Sequence, residues 1–293
     1  MHEAAVEWAA EQWGREVSRV EPLRGGWTST MLRLTAVDGG QAVLRLLTKE
    51  PWRRHASGLL AREAAVQTLL RGTPLPAPVS HAVDLTGEAA GDPAHLMSLL
   101  PGRLELRRCD DHLIDSLARL LDGVHAVDPG AARPRDYQSW APPSKRVLPD
   151  WSRRPALWAS AFEVLSGPPP SYRPRFLHRD FHLGNVLWSD GVVTGLVDWV
   201  ETSWGPAELD VAHAATYLQL LHDGDAADRL VSACRPGALD ADRGYWHVLD
   251  VVGHLPDPVK VVQPWRDQGL PISDDLARAR LESRLDRVLG FMS

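Results

Sequence analysis

At 293 residues, 44% of them hydrophobic, the chain is long enough to bury a substantial core, and its formal net charge of -6 argues against nucleic acid as a partner. Cys109 and Cys234 match no zinc or haem spacing, and two thiols in a chain of this length suit a reducing cytoplasm. No stretch approaches the roughly 18 apolar residues of a membrane span, and Met1 to Ala5 shows no basic region leading into an apolar run. A cytoplasmic protein with no membrane partner is therefore expected.

The first hundred residues read as a mostly antiparallel sheet with one inserted helix. Ala5, Val6, Trp8, Ala9 and Trp13 mark a short leading helix. Strand-like runs follow at 17–23, 30–37 and 41–47, with Asp38-Gly39-Gly40 as the turn between the last two. Leu59, Leu60, Val66, Leu69 and Leu70 give 56–70 helical periodicity, ended by Gly72 and Pro74. Two further strands are expected at 79–84 and 95–99. After Pro101 the pattern turns helical, beginning with the stripe Leu113, Leu117, Leu120, Leu121 and Val124. A loop rich in Pro, Arg and Trp spans 129–155, a hairpin is expected around 186–188 and 192–197, and helices occupy most of 207 to the end. The expected fold class is α+β, with a sheet-rich part at 1–100 and a helical part at 101–293.

The densest cluster of reactive side chains is His178-Arg179-Asp180-Phe181-His182-Leu183-Gly184-Asn185, and the apolar run 192–197 then delivers Asp198. In-line phosphoryl transfer needs a carboxylate to accept the acceptor's proton and oxygen ligands that hold Mg²⁺ on the phosphates. Asn185 and Asp198 suit a hard cation better than any His or Cys pair, which leaves Asp180 as the base. In the first part, strand alternation puts Arg45 on the face of Val43 and Leu47, and Glu63 lies beside the apolar stripe of its helix. A cation and an anion on inward faces are costly unless they meet, so Arg45 and Glu63 are expected to pair.

The run Asp180-Phe181-His182-Leu183-Gly184-Asn185, with His182 where protein kinases carry Lys, resembles the aminoglycoside phosphotransferase and choline kinase family. Val197-Asp198-Trp199 is similar to that family's Ile-Asp-Trp, and Trp204-Gly205-Pro206-Ala207-Glu208-Leu209-Asp210-Val211-Ala212 to its following segment. The resemblance implies a bilobal, protein-kinase-like small-molecule kinase, nucleotide-binding at 1–100 and carrying catalysis and acceptor binding at 101–293, with ATP as donor, GTP remaining open, and Mg²⁺ as cofactor. It makes Arg45 and Glu63 the counterparts of the kinase strand-three Lys and helix Glu that grip the phosphates. It gives His178 and Asp210 structural roles around the catalytic loop. The segment 95–102 resembles the family's hinge, so Met97, Ser98 and Leu100 are adenine-pocket candidates. Gly25, Gly26, Thr28 and Ser29 form an incomplete glycine-rich loop whose N–H and O–H groups can cover phosphates. Leu183 departs from the family's usual Pro.

The acceptor is less legible. Glu201, three residues past Asp198, is a candidate for a hydroxyl or ammonium group, and Trp199 and His182 are candidates for contact with the acceptor. From Trp199 onward about fifteen Asp and Glu stand against about nine Lys and Arg, a balance that attracts cationic ligands. Amino sugars or aminoglycoside-like antibiotics are the favoured acceptors, with choline-like and other hydroxyl-bearing metabolites open, so a role in antibiotic resistance or in metabolism follows equally well. Two other classes stand beside the kinase: a nucleotide-binding pseudokinase, and a metal-dependent hydrolase using the alternating His178, Asp180 and His182.

Overall fold

The computed structural model describes residues 2–23, 28–234 and 241–292. They form two compact units, residues 1–103, 129–134 and 185–202 in the first and 104–128, 135–184 and 203–293 in the second.

In the first unit, α1 (Glu3–Trp13) precedes β1 (Val17–Pro22), β2 (Thr30–Ala36) and β3 (Gln41–Leu46), and α2 (Ala56–Leu70) is followed by β4 (Ser80–Asp84), β5 (Ala94–Ser98) and the first residue of β6 (Arg103–Leu104). The main sheet is antiparallel throughout in the order β1-β2-β3-β5-β4. The turn at 38–40 forms as its residues demand. Gly39 takes φ +85°, a region that glycine enters without strain, and the Asp38 carboxylate accepts the Gly40 N–H at 2.9 Å. Trp8 and Ala9 of α1 pack on Leu34, Leu44 and Leu96, three of the sheet's fully buried residues. Each such leucine contributes roughly 2 kcal/mol by leaving water.

A single cut near residue 100 misses one feature of this unit. The hairpin of β8 (Val186–Ser189) and β9 (Val192–Leu196), which follows α3 (Asp111–His125), α4 (Pro155–Val164) and β7 (Pro174–Leu177) in the chain, belongs to the first unit. Its attachments are polar and specific: Leu196 N donates to Pro76 O at 2.8 Å and Thr194 Oγ1 to Pro101 O at 2.7 Å.

The second unit holds α3, α4, β7, β10 (Ser203–Pro206), α5 (Glu208–Leu221), α6 (Gly224–Cys234), α7 (Ala241–Gly253), α8 (Val259–Arg266) and α9 (Asp274–Met292). All fourteen residues of α5 are buried, with α6, α7 and α9 packed around it. Helix α3 starts where Asp110 Oδ1 accepts the Leu113 N–H at 2.9 Å, which satisfies one otherwise unpaired amide of the first turn. Helix α4 opens at Pro155, whose fixed φ suits a first helical position, so the Pro-rich stretch ends there in a helix. The antiparallel pair β7–β10 was not expected from either segment's pattern: four residues each, with prolines at the outer ends, carry no alternation to read.

Candidate active site

The residues singled out from the sequence fall into two groups, one in each unit. In the first unit, Arg45 of β3 stands directly across the ladder from His95 of β5, and both reach the fully buried Glu63 of α2. Arg45 Nη1 lies 3.3 Å from Glu63 Oε1, and His95 Nδ1 lies 2.9 Å from Glu63 Oε2. Burial works against the Glu63 charge, but the Arg45 guanidinium and the His95 hydrogen bond outweigh it and hold the carboxyl below its ordinary range. The same Arg45 Nη1 also donates to Asp198 Oδ1 at 3.1 Å. Burial disfavours the guanidinium charge, yet Asp198 and Glu63 together raise its pKa still further.

Asp198 follows β9 at φ +65°, a left-handed conformation that costs a non-glycine residue on the order of 1 kcal/mol. Val197 N donates to Asn185 O at 2.9 Å, so Asn185 and Asp198 flank the same end of the β8–β9 hairpin. Two neutral or anionic oxygen donors at one hairpin end, one of them a carboxylate about a third exposed, fit a hard divalent cation.

Other residues of this group have internal work. Met97 is buried and its Sδ accepts from Gln67 Nε2 at 3.5 Å, while Ser98 Oγ accepts the Val79 N–H at 2.9 Å. Leu100 is half-buried and packs over Gly195, where an added Cβ would come within 3.0 Å of it. Gly25 and Gly26 lie outside the described residues. Thr28 is half-buried and Ser29 buried. Trp199 is a correction. Its ring is fully buried and its Nε1–H donates to Leu196 O at 2.8 Å, so it is part of the core and offers no face to an acceptor. An apolar ring beside a charged cluster carries no sign of which way it turns. Glu201 is half-buried in the turn after it.

In the second unit, the carboxylate of Asp210 on α5 organises the loop that begins at His178. It accepts the N–H groups of His178 at 3.0 Å and Arg179 at 2.7 Å, and lies 3.1 Å from His125 Nε2. Burial disfavours the Asp210 charge, but the bond to His125 leads the contacts that keep its pKa low. Arg179 adopts φ +76° with its guanidinium 4.0 Å over the Trp140 ring. His178 Nδ1 accepts the Asp180 N–H at 3.3 Å, and His182 Nδ1 accepts the Gly184 N–H at 2.9 Å. Both histidines thus brace the loop's backbone through lone pairs.

Asp180 Oδ1 lies 3.2 Å from His213 Nε2 and 3.7 Å from His182 Nε2. Burial pushes the His182 pKa down to about 4, with Asp180 opposing, so the ring is neutral at neutral pH and its remaining proton is on Nε2, toward Asp180. The ring stacks on Tyr217 of α5 at 4.2 Å between centroids. Asp180 itself stays well below the ordinary carboxylate range in spite of burial. His213 Nδ1 continues to Asp250 Oδ1 of α7 at 2.9 Å. From sequence alone His213 is a residue one turn past Asp210, and nothing local signals its bonds to residues 33 and 37 positions away.

The profile of the phosphotransferase enzyme family, APH, matches residues 19–245, a span that contains every group described above except Asp250. The chain belongs to this family. None of the curated protein sequences matches the chain. Among solved structures it is similar to the aminoglycoside phosphotransferase APH(4)-Ia, with a TM-score of 0.68 at 17% identity over 100% of both chains. A thermostable mutant of that enzyme in ternary complex with ADP and hygromycin B gives 0.67 at 17% over 97% of each. The macrolide 2′-phosphotransferase MphH of Brachybacterium faecium gives 0.62 at 16% identity, covering 96% of this chain and 98% of that one. A mutant aminoglycoside 2′-phosphotransferase-IIIa in its GDP complex gives 0.65 at 16%, covering 99% and 98%. At these identities the likeness is one of fold, and it establishes the protein-kinase-like α+β class for this family member. Among the described residues no helix is long and apolar enough to cross a membrane.

Proposed function

We propose that the chain is a cytoplasmic small-molecule kinase that moves the γ-phosphate of ATP to a hydroxyl of a polar acceptor, with amino sugars and aminoglycoside-like compounds the favoured class. One observation carries the reading: Arg45 joins Glu63 of α2 and Asp198 of the hairpin within 3.3 Å, across 153 positions of sequence. A buried cation held between a helix carboxylate and a partly exposed aspartate is placed to meet anionic phosphates, and its planar fork suits bidentate contact. The ADP and GDP complexes of relatives support nucleotide as donor and make GTP the donor to test beside ATP.

In this reading Asp180 orients the acceptor hydroxyl and takes its proton as the oxygen–phosphorus bond forms and the γ-phosphate leaves the nucleotide. Its low pKa keeps it an anion ready to accept a hydrogen bond. Asn185 and Asp198 would hold Mg²⁺, whose charge offsets that of the phosphates. Arg45, steadied by Glu63 and His95, contacts the phosphates. Glu201 and the acidic balance of the last third favour a cationic acceptor. The aminoglycoside and macrolide relatives point to hydroxyl-bearing antibiotics as the first panel.

The test is nucleotide consumption with Mg²⁺ against amino sugars, aminoglycosides, macrolides, choline and simple sugars, run beside Asp180→Asn. Acceptor-stimulated turnover that falls about 10²- to 10⁴-fold in the variant supports the reading. Nucleotide binding without stimulation by any acceptor favours a pseudokinase, and absence of nucleotide binding overturns the proposal.

A further inference from the structure

His213 is buried in the middle of α5, and both of its ring nitrogens end on carboxylates: Nε2 at 3.2 Å from Asp180 Oδ1, Nδ1 at 2.9 Å from Asp250 Oδ1. A neutral imidazole has one N–H and one lone pair. Whichever nitrogen held the lone pair would face a carboxylate oxygen at hydrogen-bonding distance with no proton between them. With Asp180 and Asp250 both ionised, the two contacts are satisfied together only by an imidazolium donating at each end.

Resting on the kinase reading above, we infer that His213 is a positioning residue, held as an imidazolium by Asp250, which fixes the Asp180 carboxylate and keeps it ionised for phosphoryl transfer. The geometry supplies the direction of support. Asp250 comes from α7, Asp180 from the loop after β7, and His213 from α5 between them, so the pose of the base is tied to the most buried helix of the unit. Tyr217, one turn along α5, packs on both His213 at 4.5 Å and His182 at 4.2 Å between centroids, which limits rotation of either ring.

The surrounding groups agree with a charged His213. Burial alone would lower its pKa, but the Asp250 charge and the bonds to Asp180 and Asp250 carry it up to about 9. From the loop, His182 also faces it, with ring centroids 6.1 Å apart, and His182 is neutral near pH 7. From α7, His254 is pushed down by burial and donates from Nδ1 to Asp250 O at 2.9 Å. On α5 itself, Tyr217 is raised well above its ordinary value. The Trp140 ring sits edge-on at 5.1 Å and adds no titrating group. Lys145 is held on Gly253 O, and Arg284 of α9, paired with Asp228 of α6, contributes its charge toward Asp250. His213 is thus the group of this cluster expected to lose a proton on the alkaline side. His213, Asp250 and His254 also bring one ligand atom each within 4.8 Å of one another, so displacement of the proton by a divalent cation is the competing chemistry.

The experiment is ring-nitrogen NMR of the full chain with labelled histidine, the His213 signals assigned by His213→Gln. The expected result is a doubly protonated ring through pH 8 that titrates near 9, with the titration falling by at least one unit in Asp250→Asn and in Asp180→Asn. The alkaline limb of kcat should move down with the ring in Asp250→Asn, while kcat drops about 10- to 100-fold and the nucleotide KM holds. A His213 ring that is neutral at pH 7, or an alkaline limb unmoved in Asp250→Asn, overturns the inference. So does loss of the ring protons to one equivalent of Zn²⁺ at pH 7. Ring titration is read without any acceptor, so an absence of turnover counts against the kinase reading alone, and a neutral ring counts against His213 alone.

Discussion

The carboxylate of Asp210 accepts two consecutive backbone N–H groups, from His178 and Arg179, and so fixes the two residues before the expected base. Asp210→Ala leaves both buried amides and the His125 ring without that acceptor. We expect a loss of about 3 kcal/mol or more, read as a fall in the urea midpoint. Asp210→Asn keeps one carbonyl acceptor and should lose less.

Arg45 holds two carboxylates from one guanidinium. Arg45→Lys retains the charge but not the fork, and the expected outcome is a rise in nucleotide KM of about tenfold with a small fall in Tm. Arg45→Met leaves Glu63 buried with His95 and the Trp199 N–H but no full cationic partner, at a cost of roughly 3–5 kcal/mol in stability. Nucleotide titration and thermal melts of the two variants separate the effects.

Two histidines give the stability a dependence on pH from opposite sides. His182 is depressed to about 4, so below its unfolded value near 6.5 the unfolded chain binds the proton first, and stability is lost as pH falls from 6.5 toward 4. His213 is raised to about 9, so its contribution is fully present below 6.5 and is lost as pH rises from there to 9. Burial also lowers His222, His247 and His254, which adds to the acid side. Urea midpoints should therefore be highest near neutrality and fall toward pH 4.5 and pH 9.5. His213→Gln should flatten the alkaline fall, which is expected to be on the order of 3 kcal/mol.

Gly184 lies under the His182 ring, and a Cβ there would come within 2.6 Å of His182 Cε1. Gly184→Ala must move the ring off Tyr217 and break the bond from Gly184 N to His182 Nδ1. A kcat loss of about tenfold or more is expected, with nucleotide KM unchanged because Arg45 and Asp198 are untouched. Steady-state kinetics on the favoured acceptor check it.

What the sequence made legible was set by local chemistry. The Asp38-Gly39-Gly40 turn, the strands on either side of it and the helix at 56–70 follow from residue type and period. The Arg45–Glu63 pair was legible because each charge sat on a face where it was too costly alone. Asn185 and Asp198 were legible as oxygen donors from their residue types, and the structure puts them at one end of the β8–β9 hairpin. The rest depended on distant partners. Trp199 looks like a stacking residue until the Leu196 carbonyl claims its N–H. His95, within the hinge-like segment, gave no sign that it completes the Glu63 site, and Asp250 read as one acid among many on helical faces.

Arg179 keeps a left-handed backbone that would suit glycine, and its guanidinium lies over Trp140 while Nη2 donates to Gln138 O at 3.3 Å. The backbone cost, on the order of 1 kcal/mol, is offset by what the long side chain gains on that ring. The two positions should therefore drift together during divergence. Relatives with glycine at the place of Arg179 lose the reason for an aromatic ring at the place of Trp140, so the segment around residue 140 is free to vary in lineages that never needed the cation to hold it.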